Sequence, residues 1–88
     1  MSPFELRFKP SVEKDLRSLP VDVRLRVLER IRQLGEEPLP RGSVKLAGSD
    51  HLHRIRVGDY RIIYEVDSDG RLVTVHYVRH RREAYRTR

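Results

Sequence analysis

The stretch His53-Arg54-Ile55-Arg56-Val57-Gly58-Asp59-Tyr60-Arg61-Ile62-Ile63-Tyr64-Glu65-Val66 decides the fold. Apolar and charged residues alternate with period two on both sides of Gly58-Asp59. That pattern predicts two half-buried strands, Leu52 to Val57 and Tyr60 to Val66, joined by a tight turn. Arg54 and Arg56 fall on one face of the first strand, with Ile55 and Val57 on the other. On the second strand Tyr60, Ile62, Tyr64 and Val66 share a face, and Arg61, Ile63 and Glu65 share the opposite one. The Ile62/Val66 side is the better core candidate. Arg61 is then left on the open side, with Arg54 and Arg56.

Working outward toward the C-terminus, Asp67-Ser68-Asp69-Gly70 reads as a second turn and Leu72 to Arg79 as a third strand. Val73, Val75 and Tyr77 alternate there with Thr74, His76 and Val78, so both sides are mixed and neither is marked as the core face. His80 to Arg88 is polar and reads as an irregular tail or partial helix. Such short connections imply an antiparallel meander.

Toward the N-terminus, Val44-Lys45-Leu46 is compatible with a short strand or an ordered loop, and 36–43, with Pro38, Pro40 and Gly42, is a loop. Val23, Val27, Leu28, Ile31 and Leu34 make the apolar stripe of a helix that Pro20 opens and Gly35 ends. Val12, Leu16 and Leu19 make the stripe of a preceding helix, with Ser11 as its N-cap. Phe4-Glu5-Leu6-Arg7-Phe8 alternates again and reads as a strand with three apolar residues on one face. The order is β-α-α-β-β-β. A helical hairpin covers one face of a mainly antiparallel sheet, an α+β architecture, in one domain spanning 1–88.

Composition narrows the function. The chain of 88 residues has no cysteine, so neither disulfides nor a thiolate metal site hold it together. No apolar run approaches the roughly 20 residues of a membrane helix, and the N-terminus lacks a signal-peptide pattern; a cytoplasmic location is the expectation. Net charge is +6 and the isoelectric point is near 10.3, which favours an acidic partner such as nucleic acid. Sixteen of the nineteen basic residues are arginine. A guanidinium grips phosphate at two points through a planar fork. Codon bias or heat stability would also enrich arginine, so position has to decide. Arg79, Arg81, Arg82, Arg86 and Arg88 crowd the last ten residues against Glu83 alone.

The open face therefore gathers Arg54, Arg56 and Arg61, with Arg79, Arg81 and Arg82 brought to its edge. The plain alternative is a solvated face whose arginines pair with Glu65 or Glu83. Like charges on adjacent strands repel, and a polyanion would compensate them. Other chemistries fit poorly. There is no cysteine nucleophile, no glycine-rich phosphate loop and no His-x-x-x-His spacing, and His51 and His53 lack obvious carboxylate companions for a metal.

Lys45-Leu46-Ala47-Gly48, the stretch from His53 to Val66, and His80-Arg81-Arg82-Glu83-Ala84-Tyr85 together resemble the RelE toxins of type II toxin–antitoxin systems, within the RelE/ParE superfamily. The resemblance covers nearly the whole chain. It implies a metal-independent, cofactor-free endoribonuclease that cuts messenger RNA in the ribosomal A site. In that reaction the 2′-hydroxyl attacks the adjacent phosphate and leaves a 2′,3′-cyclic phosphate. It implies Arg61 and Arg81 as stabilisers of phosphate charge and Tyr85 as the proton acceptor, once neighbouring cations bring its hydroxyl below the usual pKa of about 10. Lys45, Arg54, Arg56, Arg79 and Arg82 are the expected RNA-binding set, and His80 is a rival acid or base. Arg54 and Arg56 stand where the best-known members carry lysine, which keeps charge and removes an easily titrated group. The expected partners are the ribosome, mRNA and a RelB-like antitoxin whose acidic or amphipathic segment covers the basic face. A ParE-like gyrase inhibitor and a non-catalytic RNA- or ribosome-binding module are the alternatives.

Overall fold

The computed structural model describes residues 3–80. Strand β1 (Glu5–Phe8) leads into helices α1 (Pro10–Arg17) and α2 (Val21–Glu36), followed by strands β2 (Val44–Lys45), β3 (Leu52–Val57), β4 (Tyr60–Asp67) and β5 (Leu72–His80). One five-stranded sheet results, in the order β1-β5-β4-β3-β2. The β1–β5 pair is parallel, because the helical hairpin is the crossover that a parallel pair requires. The other pairs are antiparallel. Val44 and Lys45 pair with Arg54 and His53, so the ambiguous segment is a two-residue edge strand.

The core lies between the hairpin and one sheet face. Val12 and Leu19 come from the hairpin's first half, Val27, Ile31 and Leu34 from α2. Ile55, Ile62, Tyr64, Val66, Val73, Val75 and Val78 come from the sheet. The choice of the Ile62/Val66 face as core is correct. On β5 the core residues are spaced two apart and then three, because the register shifts where Ile63 pairs with Tyr77 but Tyr64 with Val75. His76 is the extra residue of this β-bulge, and its insertion explains why simple alternation marked neither face. Phe8 and Leu28 were expected in the core, yet they are 48% and 38% exposed.

The helix ends differ from the sequence reading. Lys9 is the N-cap of α1 and Pro10 its first residue, as suits a residue with no N–H to satisfy. Ser11 lies inside the helix, and its hydroxyl donates to the His76 carbonyl at 3.3 Å. Pro20 caps α2 rather than opening it, and the helix runs past Gly35 to Glu36. Gly35 is there for close approach: a Cβ at this position would sit 3.3 Å from the Phe4 carbonyl oxygen and 3.4 Å from Leu6 Cγ. Arg24 of α2 fastens the hairpin corner. Its Nε donates to the Leu16 carbonyl at 3.0 Å and its Nη2 to that of Leu19 at 3.1 Å, tying α2 to carbonyls at and just beyond the end of α1. Gly58, at φ +59 in the β3–β4 turn, supplies the left-handed conformation that a tight hairpin needs.

Candidate nucleic-acid interface

Sheet register builds the site. Arg56 pairs with Arg61 across β3 and β4, and Arg61 pairs with Arg79 across β4 and β5. Directly opposed residues point to the same face, so three arginines form a row across three adjacent strands, on the side away from the hairpin. Opposed Cα atoms lie about 4.5–5.5 Å apart. The next row on that face is Arg54, Ile63 and Tyr77. The arginines brought together are thus Arg54, Arg56, Arg61 and Arg79.

Their surroundings are unequal. Arg56 is exposed and Arg54 half-buried. Arg61 lies on the expected face but is not open to solvent: only 6% of it is exposed. Ile63, beside it on the same face, is 3% exposed. Water screens a buried charge less, so the field of this guanidinium reaches further than that of an exposed one.

Arg79 is engaged elsewhere. Its Nη1 donates to Asp15 Oδ2 at 2.5 Å and to the Val78 carbonyl at 3.2 Å. Its guanidinium carbon sits 4.8 Å from the centroid of the Tyr77 ring. Asp15 Oδ2 also accepts from the Val78 backbone N–H at 3.0 Å. β1 pairs with β5 only as far as Val75, so the Asp15 carboxylate satisfies the strand edge just beyond the point where β1 stops.

Two expected members stand apart from the row. Lys45 pairs with His53, which pairs with the core residue Tyr64, so Lys45 lies on the hairpin side of the sheet. His80 pairs with Tyr60, its ring edge-on to that tyrosine at 5.2 Å between centroids. Tyr60 packs against the core; His80 therefore faces α1, on the side opposite Arg61. Strand alternation places it there once β5 continues through residue 80. Arg81, Arg82 and Tyr85 lie outside the described residues.

One pair on the arginine face escaped the sequence reading. The bulge turns His76 to this side, where its Nε2 lies 2.9 Å from Glu65 Oε1. Among the described residues Glu65 therefore engages a histidine, not the arginines with which the plain alternative paired it. Among the described residues Arg54 and Arg56 have no ion pair. The only visible signal for the bulge was the three-residue gap between Val75 and Val78 in an otherwise period-two strand.

On the hairpin side, His53 has its pKa lowered, chiefly by burial, with repulsion from Lys45 and His51 adding to the effect. Burial raises that of Tyr64, partly offset by a hydrogen bond to Ser43 and the charge of Arg30. The Tyr64 hydroxyl donates to the Pro38 carbonyl at 2.8 Å, which marks it as a structural residue that ties the loop after α2 to the sheet.

A family model described as the ParE toxin of the type II toxin–antitoxin system parDE matches residues 6–85. Toxin RelG of Mycobacterium tuberculosis is 33% identical over 88 residues, covering 96% of this chain and 98% of that protein. The toxin fold in the archaeal RelE–RelB complex of Pyrococcus horikoshii superimposes with a TM-score of 0.80 at 33% identity, over 90% of this chain and 96% of that one. The RelB–RelE complex of Methanococcus jannaschii gives a TM-score of 0.74 at 30% identity, over 90% and 94%. With its hairpin packed on a mostly antiparallel five-stranded sheet, this chain belongs to the RelE/ParE superfamily and is a RelE-type toxin of a type II toxin–antitoxin system.

Proposed function

We propose that this toxin is a ribosome-dependent endoribonuclease that cuts messenger RNA without a metal ion. The observation that carries this reading is the row of opposed arginines on three neighbouring strands, Arg56, Arg61 and Arg79, with Arg54 beside it. Such a row matches the charge that develops on a phosphodiester under in-line attack. The 2′-oxygen loses its proton to a base and bonds to phosphorus; the bond to the 5′-oxygen breaks, and that oxygen takes up a proton. Fixed guanidinium groups stabilise the extra negative charge on the phosphoryl oxygens.

As the resemblance to RelE toxins implies, Tyr85 accepts the 2′-hydroxyl proton and Arg81 supplies further charge. Arg82 would bind flanking phosphates. The solved relatives in complex with RelB support a cognate antitoxin for this chain, one whose acidic or amphipathic segment covers the arginine face. No helix among the described residues is long and apolar enough to cross a membrane, which is compatible with action on cytoplasmic ribosomes.

Induced expression followed by mapping of mRNA 5′ ends tests the reading. New ends within codons, with arrested translation, are expected; intact mRNA in arrested cells overturns it. The name of the matching family model favours one second reading, inhibition of DNA gyrase. Under that reading the same cells accumulate DNA double-strand breaks and induce the SOS response while mRNA stays whole.

A further inference from the structure

The two-way contact of Asp15 sets it apart from the other acids of the hairpin. Its carboxylate is anchored by the Val78 N–H, a main-chain donor that does not move with any side chain. The same oxygen binds Arg79, while Tyr77 stacks beneath the guanidinium. Arg79 is therefore drawn toward α1 and the sheet edge. Its Cα nevertheless opposes that of Arg61, within the row.

We propose that Asp15 is a positioning residue that holds Arg79 out of the phosphate row, so that a bound RNA meets the more open Arg54 and Arg56 first and gains Arg79 only when the Asp15 contact opens. The inference rests on the RNA-directed reading above and adds to it a residue on α1, remote in sequence from every arginine of the face. The contact suits a latch. It joins one carboxylate to one guanidinium, with the Arg79 side chain one-third exposed, so a phosphate can compete for the same donor. Asp15 itself stays in place after release, because the Val78 N–H still holds it.

The test is binding of a short oligo(U) strand by the full chain across a series of salt concentrations. Asp15→Asn keeps an oxygen for the Val78 N–H and removes the charge that holds Arg79. The slope of log affinity against log salt should steepen by about 0.7, the value for one added phosphate contact on a single strand, with several-fold tighter binding at low salt. Adding Arg79→Ala to Asp15→Asn should return the slope to that of the unmodified chain. A purely structural Asp15 would move the melting temperature and leave the slope unchanged, and that result overturns the proposal while leaving RNA binding intact. A second measurement needs no variant. In the unmodified chain, the side-chain NMR signals of Arg54 and Arg56 should shift on RNA addition before that of Arg79; simultaneous shifts overturn the latch. No binding by the unmodified chain at any salt overturns the phosphate row itself, and the latch with it.

Discussion

Arg61 and Arg79 oppose each other across β4 and β5, but only Arg79 is drawn to α1, through Asp15. Arg61 is enclosed on the sheet face and Arg56, on its other side, is open to water. The three positions should therefore respond differently to the same change. Lysine keeps the charge but loses the planar fork and its fixed geometry. We expect Arg61→Lys to weaken growth arrest by at least about tenfold in inducer dose, equivalent to about 1.4 kcal/mol of transition-state stabilisation. Arg56→Lys should have a smaller effect. Equal responses would show that enclosure at Arg61 plays no part. A thermal melt of each variant separates loss of function from loss of fold.

Gly35 should tolerate no branched side chain. The space that its missing Cβ leaves is taken by β1, through the Phe4 carbonyl and Leu6. Gly35→Val forces that strand away from α2 and should lower stability by about 1–3 kcal/mol, the usual range for overpacking. Denaturant unfolding measures it. An unchanged midpoint would mean that β1 shifts freely.

His53 makes stability depend on mild acid. Burial, with Lys45 and His51 nearby, lowers its folded-state pKa. The unfolded chain therefore takes up the proton first as pH falls. The contribution is complete above the unfolded value of about 6.5 and is lost as pH falls through the folded value. His53→Gln should flatten this part of a stability–pH curve. An identical curve for the variant would assign the acid loss to other groups.

Tyr64 acts at the alkaline end. Its pKa is raised by burial, so its contribution is present below the unfolded value of about 10 and is lost as pH rises through the higher folded value. Tyr64→Phe should remove that alkaline loss and, by leaving the Pro38 carbonyl without its donor, cost about 1 kcal/mol near neutrality. Melts over the alkaline range decide it.

Local pattern made much of the fold legible. The alternation around Gly58-Asp59 identified β3, β4, their turn and the face shared by Arg54, Arg56 and Arg61, because strand period is a local property. What sequence left hidden was set by pairing between distant segments. His76 is inserted in β5 against a register that only β4 defines. Lys45 and His80 were grouped with the arginines by position along the chain, whereas their partners His53 and Tyr60 place them on the hairpin side. The Asp15–Arg79 contact spans 64 residues, beyond any window of periodicity. Gly35 looked like a helix stop because glycine serves both for left-handed caps and for close packing, and only the approach of β1 separates the two.

The most direct measurement is cleavage of mRNA on purified, programmed ribosomes in the presence of a chelator, comparing the unmodified toxin with the Arg56→Ala/Arg61→Ala double variant. The expected result is a product ending in a 2′,3′-cyclic phosphate, formed on the order of a hundredfold or more slowly by the double variant, since each lost charge-stabilising donor typically costs that much. Equal rates for the two proteins, or no cleavage by the unmodified toxin, would contradict a phosphodiester held by the arginine row.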